Sequence, residues 1–287
     1  MVEVVMLCQK GEWGQFPKSW LYEPKLEGTR GKAEKEGDVI RIINRRGLDY
    51  SYRFPEIVDA LRRIKGNFII DGEICSADFL FSTLAQRAHL QDKFKIDILK
   101  DTAPCTYHVF DILKGNGTSF INEPLIDRKG ELFRIEESER VKIVWPKPLN
   151  VLVEMVERRE IEGIVAKDPN SPYEFRRSPR WIKFRQEDTE DLPIIGYEDT
   201  DKPTRPFRSL IMLRGGKEVQ ASSGLSGADL TMLDEAFKDK PQRVDGTKRY
   251  FLEGPIGVAE VKFYAQSPDI PYRFPRVERV RFDKNSA

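Results

Sequence analysis

Histidine and cysteine are scarce in this chain, and their scarcity narrows its chemistry. Only two histidines, His89 and His108, and three cysteines, Cys8, Cys75 and Cys105, occur among 287 residues. The cysteines are scattered, form no Cys-x-x-Cys pair and offer no disulfide framework, which points to a reducing, intracellular compartment. So few imidazoles and thiols argue against zinc chemistry and limit histidine-based acid–base mechanisms, leaving lysine, arginine and carboxylates to carry any reaction. No stretch approaches the roughly 20 apolar residues of a membrane span. The first ten residues contain Glu3 and lack a basic start and a small-residue cleavage site, so no signal peptide is expected. A surplus of charge is missing too: 48 Lys and Arg face 47 Asp and Glu, for a formal net charge of +1. A nucleic-acid binder with this balance must concentrate its positive charge locally.

What is plentiful is charge of both signs, at 33% of residues, beside 39% hydrophobic residues. That composition can bury real cores under a charged surface, and the length predicts about two domains. Residues 38–44 and 67–74 read as strands, 106–113 as a buried strand, and 54–65 as a helix with Pro55 in its first turn. Residues 150–160 read as a helix running into a strand at 163–167. Residues 186–192 are acidic and polar and read as a linker. Beyond them come short strand-like segments at 193–197, 209–213, 218–221 and 258–264, interrupted by one helix at 227–238. About five short strands and one helix in roughly 100 residues suit a small barrel of the OB type, and other small β folds as well.

The candidate chemistry begins at Lys25, inside the run Glu23-Pro24-Lys25-Leu26-Glu27-Gly28-Thr29-Arg30. A nucleophilic lysine must shed its proton near neutral pH, which neighbouring cations or a metal can promote. Gly28 would let the backbone pass close to a phosphate, and Arg30 could hold that phosphate. Glu73, in Asp71-Gly72-Glu73, and Glu162, in Glu162-Gly163, supply hard oxygen ligands suited to Mg²⁺. Lys183 and Arg185, two apart in an alternating run, share one strand face and suit a triphosphate. Each of these short strings is common on ordinary protein surfaces; only their order carries weight.

In that order and spacing they resemble the motif set of the covalent nucleotidyltransferase superfamily, which holds DNA ligases, RNA ligases and mRNA capping enzymes. Residues 25–30 look like the first motif, usually Lys-x-Asp-Gly-x-Arg, with Glu27 in place of the usual Asp. Asn44-Arg45-Arg46-Gly47 resembles the arginine motif, Asp71 to Glu73 the third, and Phe110-Asp111 the aromatic one. Residues 162–167 and 181–185 resemble the fourth and fifth. Arg273-Phe274-Pro275-Arg276 and Arg281-Phe282-Asp283-Lys284 look like the last motif of ATP-dependent DNA ligases. The chain thus resembles the minimal ATP-dependent DNA ligases, without the N-terminal DNA-binding domain of larger ones.

The resemblance implies an α+β fold: a nucleotidyltransferase (ATP-grasp-like) antiparallel-sheet adenylation domain over residues 1–187, followed by an all-β OB-fold domain over 188–287. It implies an ATP-dependent DNA ligase that seals 5′-phosphate/3′-hydroxyl nicks through AMP bound to Lys25. Glu23 would read the adenine amino group, Phe110 would stack on the base, and Glu73 and Glu162 would serve ribose or the metal. Arg30, Arg45, Lys183 and Arg185 would hold nucleotide or nick phosphates, and Arg281, Asp283 and Lys284 would orient pyrophosphate. The implied cofactors are ATP and Mg²⁺, with Mn²⁺ as a substitute. The implied partner is nicked duplex DNA, with a recruiting clamp or end-joining factor as a further candidate. A monomer acting on the nucleoid, or a virus-encoded enzyme, is expected, and no membrane. Arg176, Arg177 and Arg180, and then Arg205, Arg208, Arg214 and Lys217, are the candidate phosphate-contacting stretches. An RNA ligase, a capping guanylyltransferase using GTP, and a catalytically idle nucleic-acid-binding module are the alternatives.

Overall fold

The computed structural model describes residues 5–79, 81–264 and 273–282. They divide into two compact units, one up to Gln186 and the other from Glu187 onward.

The first unit holds two sheets. Strands β1 (Leu7–Lys10), β2 (Leu21–Lys25), β3 (Thr29–Glu36), β4 (Val39–Ile43), β5 (Phe68–Ser76), β6 (Cys105–Gly115), β7 (Thr118–Ser119), β8 (Val141–Ile143), β9 (Gly163–Lys167) and β10 (Arg177–Phe184) build them. One sheet has the order β1-β10-β9-β2; the other runs β4-β3-β5-β6-β7, with β8 paired to β6. Pairing is antiparallel except between β1 and β10 and between β6 and β8. Helices α1 (Pro55–Arg63), α2 (Phe81–Ala88), α3 (Lys93–Thr102), α4 (Leu125–Glu131) and α5 (Leu149–Glu157) accompany the sheets.

Apolar spacing explains the packing. In α1, Pro55 stands in the first turn and Ile57 and Leu61, one turn apart, bury against Ile42, Ile70 and Tyr107 of the larger sheet. Lys35 of β3 donates to the carbonyls of Arg62 and Ile64 and so closes the C-terminal end of that helix. Leu152 and Val156 of α5 pack on Ile164, Ala166 and Phe184 of the smaller sheet. A third cluster, with Met6, Phe110, Leu113, Val144, Tyr173 and Trp181, joins residues of both sheets.

The second unit is a seven-stranded sheet of β11 (Glu187–Glu198), β12 (Ser209–Arg214), β13 (Lys217–Ala221), β14 (Gln242–Asp245), β15 (Lys248–Phe251), β16 (Val258–Tyr264) and β17 (Arg273–Arg281), with helix α6 (Gly227–Phe237). Ser226 and Asp229 form a reciprocal capping box at the start of α6. Leu233 and Phe237 of that helix enter a core with Ile194, Phe207, Met212, Phe251 and Val261.

One expectation is overturned here. The acidic residues 186–192 are not a linker: from Glu187 they form the first half of β11, paired in continuous register with β16 from Glu187↔Tyr264 to Pro193↔Val258. The carboxylates lose their mutual repulsion to arginines of the same unit: Glu187 pairs with Arg276, Glu190 with Arg214 and Asp191 with Arg281. Those partners lie far along the chain, so the local sequence reads as a polar break.

Candidate active site

Strand register assembles the cleft. Lys25 closes β2 directly opposite Gly163, the first residue of β9, and the Glu162 amide donates to the Lys25 carbonyl at 3.2 Å. A Cβ on Gly163 would stand 2.1 Å from the Phe184 carbonyl oxygen, so glycine is required for this approach. Glu162 is thereby fixed behind Lys25. One carboxylate oxygen contacts Lys25 Nζ and the other contacts the Arg185 guanidinium. Lys183 stands on the neighbouring β10, where burial first, then the charges of Arg185 and Lys25, lower its pKa.

The larger sheet supplies the facing wall. Arg30 of β3 and Glu73 of β5 are register partners. Burial drives the Glu73 carboxyl up to about 7; Arg30 and Lys25 oppose the rise, while Glu162 and Asp71 add to it. Arg30 grips Asp71 in a two-pronged pair at 2.7 and 2.6 Å and donates to the Met6 carbonyl at 3.1 Å. Tyr173 donates its hydroxyl proton to Asp71 and accepts from the Met6 amide. Arg30 is therefore oriented by protein partners rather than standing ready for a phosphate alone. Gly28 likewise serves packing: a Cβ there would meet the Glu73 side chain at 2.4 Å and the Ile74 carbonyl at 2.5 Å.

The inner end of the cleft is aromatic and cationic. Lys167 Nζ lies 4.2 Å from the Phe110 ring centroid and 4.1 Å from that of Trp181, and the Arg30 guanidinium lies 4.5 Å from Phe110. Phe110 is only 9% exposed, so a base stacking on it has to share or displace these contacts. Glu23 is 2% exposed and bridges Lys129 and Lys167, the latter at 2.6 Å. Toward solvent the rim is lined by Arg45, Arg46, Tyr50, His89 and Arg177.

The cleft, of about 460 Å³, falls within the roughly 300–1,000 Å³ of ligand pockets. It brings together Glu23, Lys25, Arg30, Arg45, Glu73, Phe110, Lys183 and Arg185, while Glu27 is not among the described residues lining it. Arg281 belongs to the second unit, where it pairs with Asp191, and the Asp283 and Lys284 expectations lie outside the described residues. Sequence reasoning missed Lys129, Lys167, Tyr173 and Trp181 as members of the site. Lys167 and Trp181 left a signal, Lys167 two residues from Val165 on the cleft-facing side of its strand and Trp181 in alternation with Lys183 and Arg185.

Of the basic stretches, Arg176 pairs with Glu174 and Arg180 with Asp168 at 2.6 Å. Arg208 approaches Glu198 at 3.6 Å and remains exposed, Arg205 donates to the Ser222 carbonyl at 3.4 Å, and Arg214 is taken up by Glu190. Among the described residues no group of three or more His, Cys, Asp or Glu could hold a metal ion. Mg²⁺ commonly takes one or two carboxylates and completes its shell with phosphates and water. Glu73 and Glu162 fit that pattern as two carboxylates near enough for the Glu162 charge to add to the burial-driven rise in the Glu73 pKa. No described helix is long and apolar enough to cross a membrane.

Residues 7–185 match the family model of the ATP dependent DNA ligase domain. A probable DNA ligase of Koribacter versatilis is 28% identical over 92% of this chain and 54% of its own length. A DNA ligase of Thermococcus fumicolans is 28% identical over 92% of this chain and 52% of its own length. The chain therefore spans about half the length of these relatives. Among solved structures, the ligase domain of M. tuberculosis LigD superposes with a TM-score of 0.57 at 21% identity, covering 98% of this chain and 96% of that one. A Lig E DNA ligase superposes with a TM-score of 0.67 at 16% identity, covering 97% of this chain and all of that one (100%). At these identities the structures establish a shared fold, a nucleotidyltransferase unit followed by an OB-fold.

Proposed function

This chain belongs to the ATP-dependent DNA ligase domain family, and from that premise we propose that it seals nicks in duplex DNA by way of a lysyl-AMP on Lys25. The observation that carries the reading is the contact of Lys25 Nζ with Glu162, itself held by Arg185, at the edge of a cleft walled by Glu73 and floored by Phe110 and Trp181. The proposal assigns adenylation to residues 1–187 and an OB-fold role to 188–287.

ATP enters with its base toward Phe110 and Glu23 and its α-phosphate toward Lys25. Glu162, in contact with Lys25 and itself held by Arg185, is placed to take the proton from the attacking amine. The amine attacks the α-phosphorus; a phosphorus–nitrogen bond forms and pyrophosphate leaves. The 5′-phosphate of the nick then attacks the lysyl-AMP phosphorus, the phosphorus–nitrogen bond breaks and the Lys25 amine leaves; finally the 3′-hydroxyl attacks the 5′-phosphorus of the adenylylated end, a phosphodiester forms, the phosphoanhydride breaks and AMP departs. Charge builds on phosphate oxygens at each step, so catalysis is mostly positioning and neutralisation by Lys183, Arg185 and Arg45. Mg²⁺ or Mn²⁺ held by Glu73 and Glu162 would add further neutralisation to those oxygens.

Incubation with α-labelled ATP followed by denaturation tests the reading. Label should stay on the chain, and Lys25→Ala should take none while still joining a pre-adenylylated nick. Robust ATP-dependent labelling of Lys25→Ala would overturn the assignment. A panel of nicks with DNA or RNA on each side then reads strand preference.

A further inference from the structure

The proposed reaction leaves unused a buried lysine behind the nucleotide end of the cleft. Lys129, on α4, is 3% exposed, and its ammonium contacts one oxygen of the Glu23 carboxylate and donates to the Val144 carbonyl at 2.9 Å. Lys167 takes the other Glu23 oxygen at 2.6 Å. The two lysines differ in position. Lys167 lines the cleft against Phe110 and Trp181, whereas Lys129 is not among its lining residues and stands behind Glu23.

Two lysines and one carboxylate meet here with almost no exposure to solvent, Lys129 at 3%, Lys167 at 2% and Glu23 at 2%. An ionised carboxylate offers about four lone-pair directions. Two are engaged by the lysines, and the remainder can accept hydrogen bonds from a ligand. The exocyclic amine of adenine is a donor; guanine presents a carbonyl oxygen at the corresponding position, which a carboxylate repels. The discrimination therefore depends on the Glu23 carboxylate being pointed at the base. Lys167 alone could draw the carboxylate toward itself; Lys129 holds the other oxygen and, through the Val144 carbonyl, ties the strand bearing Glu23 to the segment after β8. The adjacent Arg128 anchors α4 to Asp111.

We infer that Lys129 is a positioning residue for nucleotide choice, holding the Glu23 carboxylate aimed so that the cleft prefers adenine over guanine nucleotides. The inference rests on the proposed lysyl-AMP chemistry but is separable from it. Lys129 touches no ligand and acts only through Glu23. Loss of one well-aimed hydrogen bond to a charged group corresponds to about tenfold or more in affinity.

The test uses the full chain and measures covalent labelling by α-labelled ATP and by α-labelled GTP across concentration. Lys129→Met should raise the half-saturating ATP concentration about tenfold and lower the ATP-over-GTP preference by a similar factor, with the maximal labelling rate changed far less. Lys129→Arg, which keeps the charge, should restore most of the preference. In a Glu23→Gln background, Lys129→Met should cost no further preference, because the carboxylate it holds is gone. If the methionine variant does not fold, Lys129→Gln, which can still donate to Val144 but carries no charge, stands in with the same expectation. Unchanged half-saturation and preference would overturn the inference, as would equal losses in maximal rate for both nucleotides with no rescue by arginine. An unaltered chain that takes no label from any nucleotide would overturn the ligase reading itself and the inference with it. Labelling of the unaltered chain with wild-type preference in Lys129→Met would remove the Lys129 role alone.

Discussion

Replacing Arg128 with methionine should destabilise the first unit far more than removing an ordinary surface charge. Arg128 and Asp111 are both fully buried, joined Nε to Oδ1 at 2.8 Å and Nη2 to Oδ2 at 2.9 Å. The remaining guanidinium nitrogen donates to the Glu123 carbonyl at 2.6 Å and the Ser171 carbonyl at 2.8 Å. Arg128→Met fills much of the volume but strands the Asp111 charge and two carbonyls without donors. Breaking one partner of such a pair costs about 3–5 kcal/mol. With roughly 2–4 °C lost per kcal/mol for a unit of this size, the melting midpoint should fall by about 6–20 °C. The double variant Asp111→Leu with Arg128→Met removes the stranded charge as well, and should recover at least half of the loss, since swapping a whole buried pair for apolar residues is often close to neutral. Calorimetry of the single and double variants checks both statements. A single-variant drop below about 2 °C, or a double variant melting no higher than the single, would refute the view that the buried pair is what locks α4 to β6.

A chain ending at Gln186 should fold and keep its nucleotide cleft, because the first unit owns every residue lining that cleft, yet adenylylate slowly if the C-terminal basic residues orient pyrophosphate; labelling at the wild-type rate would contradict that role. Arg205→Ala with Arg208→Ala should weaken nick binding and flatten its salt dependence by about 0.9 log units per lost phosphate contact while sparing self-adenylylation, read from affinities at several salt concentrations. His108 should make stability pH-dependent on the acid side. Burial, with the Lys142 charge second, depresses its pKa to about 4, so the folded chain keeps a neutral ring that the unfolded chain protonates below about 6.5. Stability is full above pH 6.5 and is lost as pH falls toward 4, by on the order of 3 kcal/mol. His108→Gln should flatten that window in denaturant titrations at stepped pH, and an unchanged pH profile would count against it.

Much of the candidate cleft was legible without coordinates because its residues sit in short runs whose chemistry is local. Lys25, Glu73, Glu162, Lys183 and Arg185 each stand at the end of a strand or beside a glycine, and strand alternation and the order of the runs survive in one dimension. The strands from 67 to 74, 106 to 113 and 163 to 167 were visible for the same reason: β-branched and aromatic residues in brief, bounded runs. What the sequence by itself could not determine is which charges meet. The segment after Gln186 looked like a linker because its carboxylates have no partner nearby in the chain; pairing with Arg214, Arg276 and Arg281 turns it into a strand. Arg30 looked like a free phosphate ligand until Asp71 and the Met6 carbonyl were found to hold it. Glu23 between Lys129 and Lys167 depends on a helix and two strands distant in sequence, and neither lysine lies in a run that announces the carboxylate it serves. Spacing along one element fixes which side chains share a face; only the packing of elements against one another decides whether a buried charge finds its opposite, because the energy of that meeting exists in the closed interior and not along the chain.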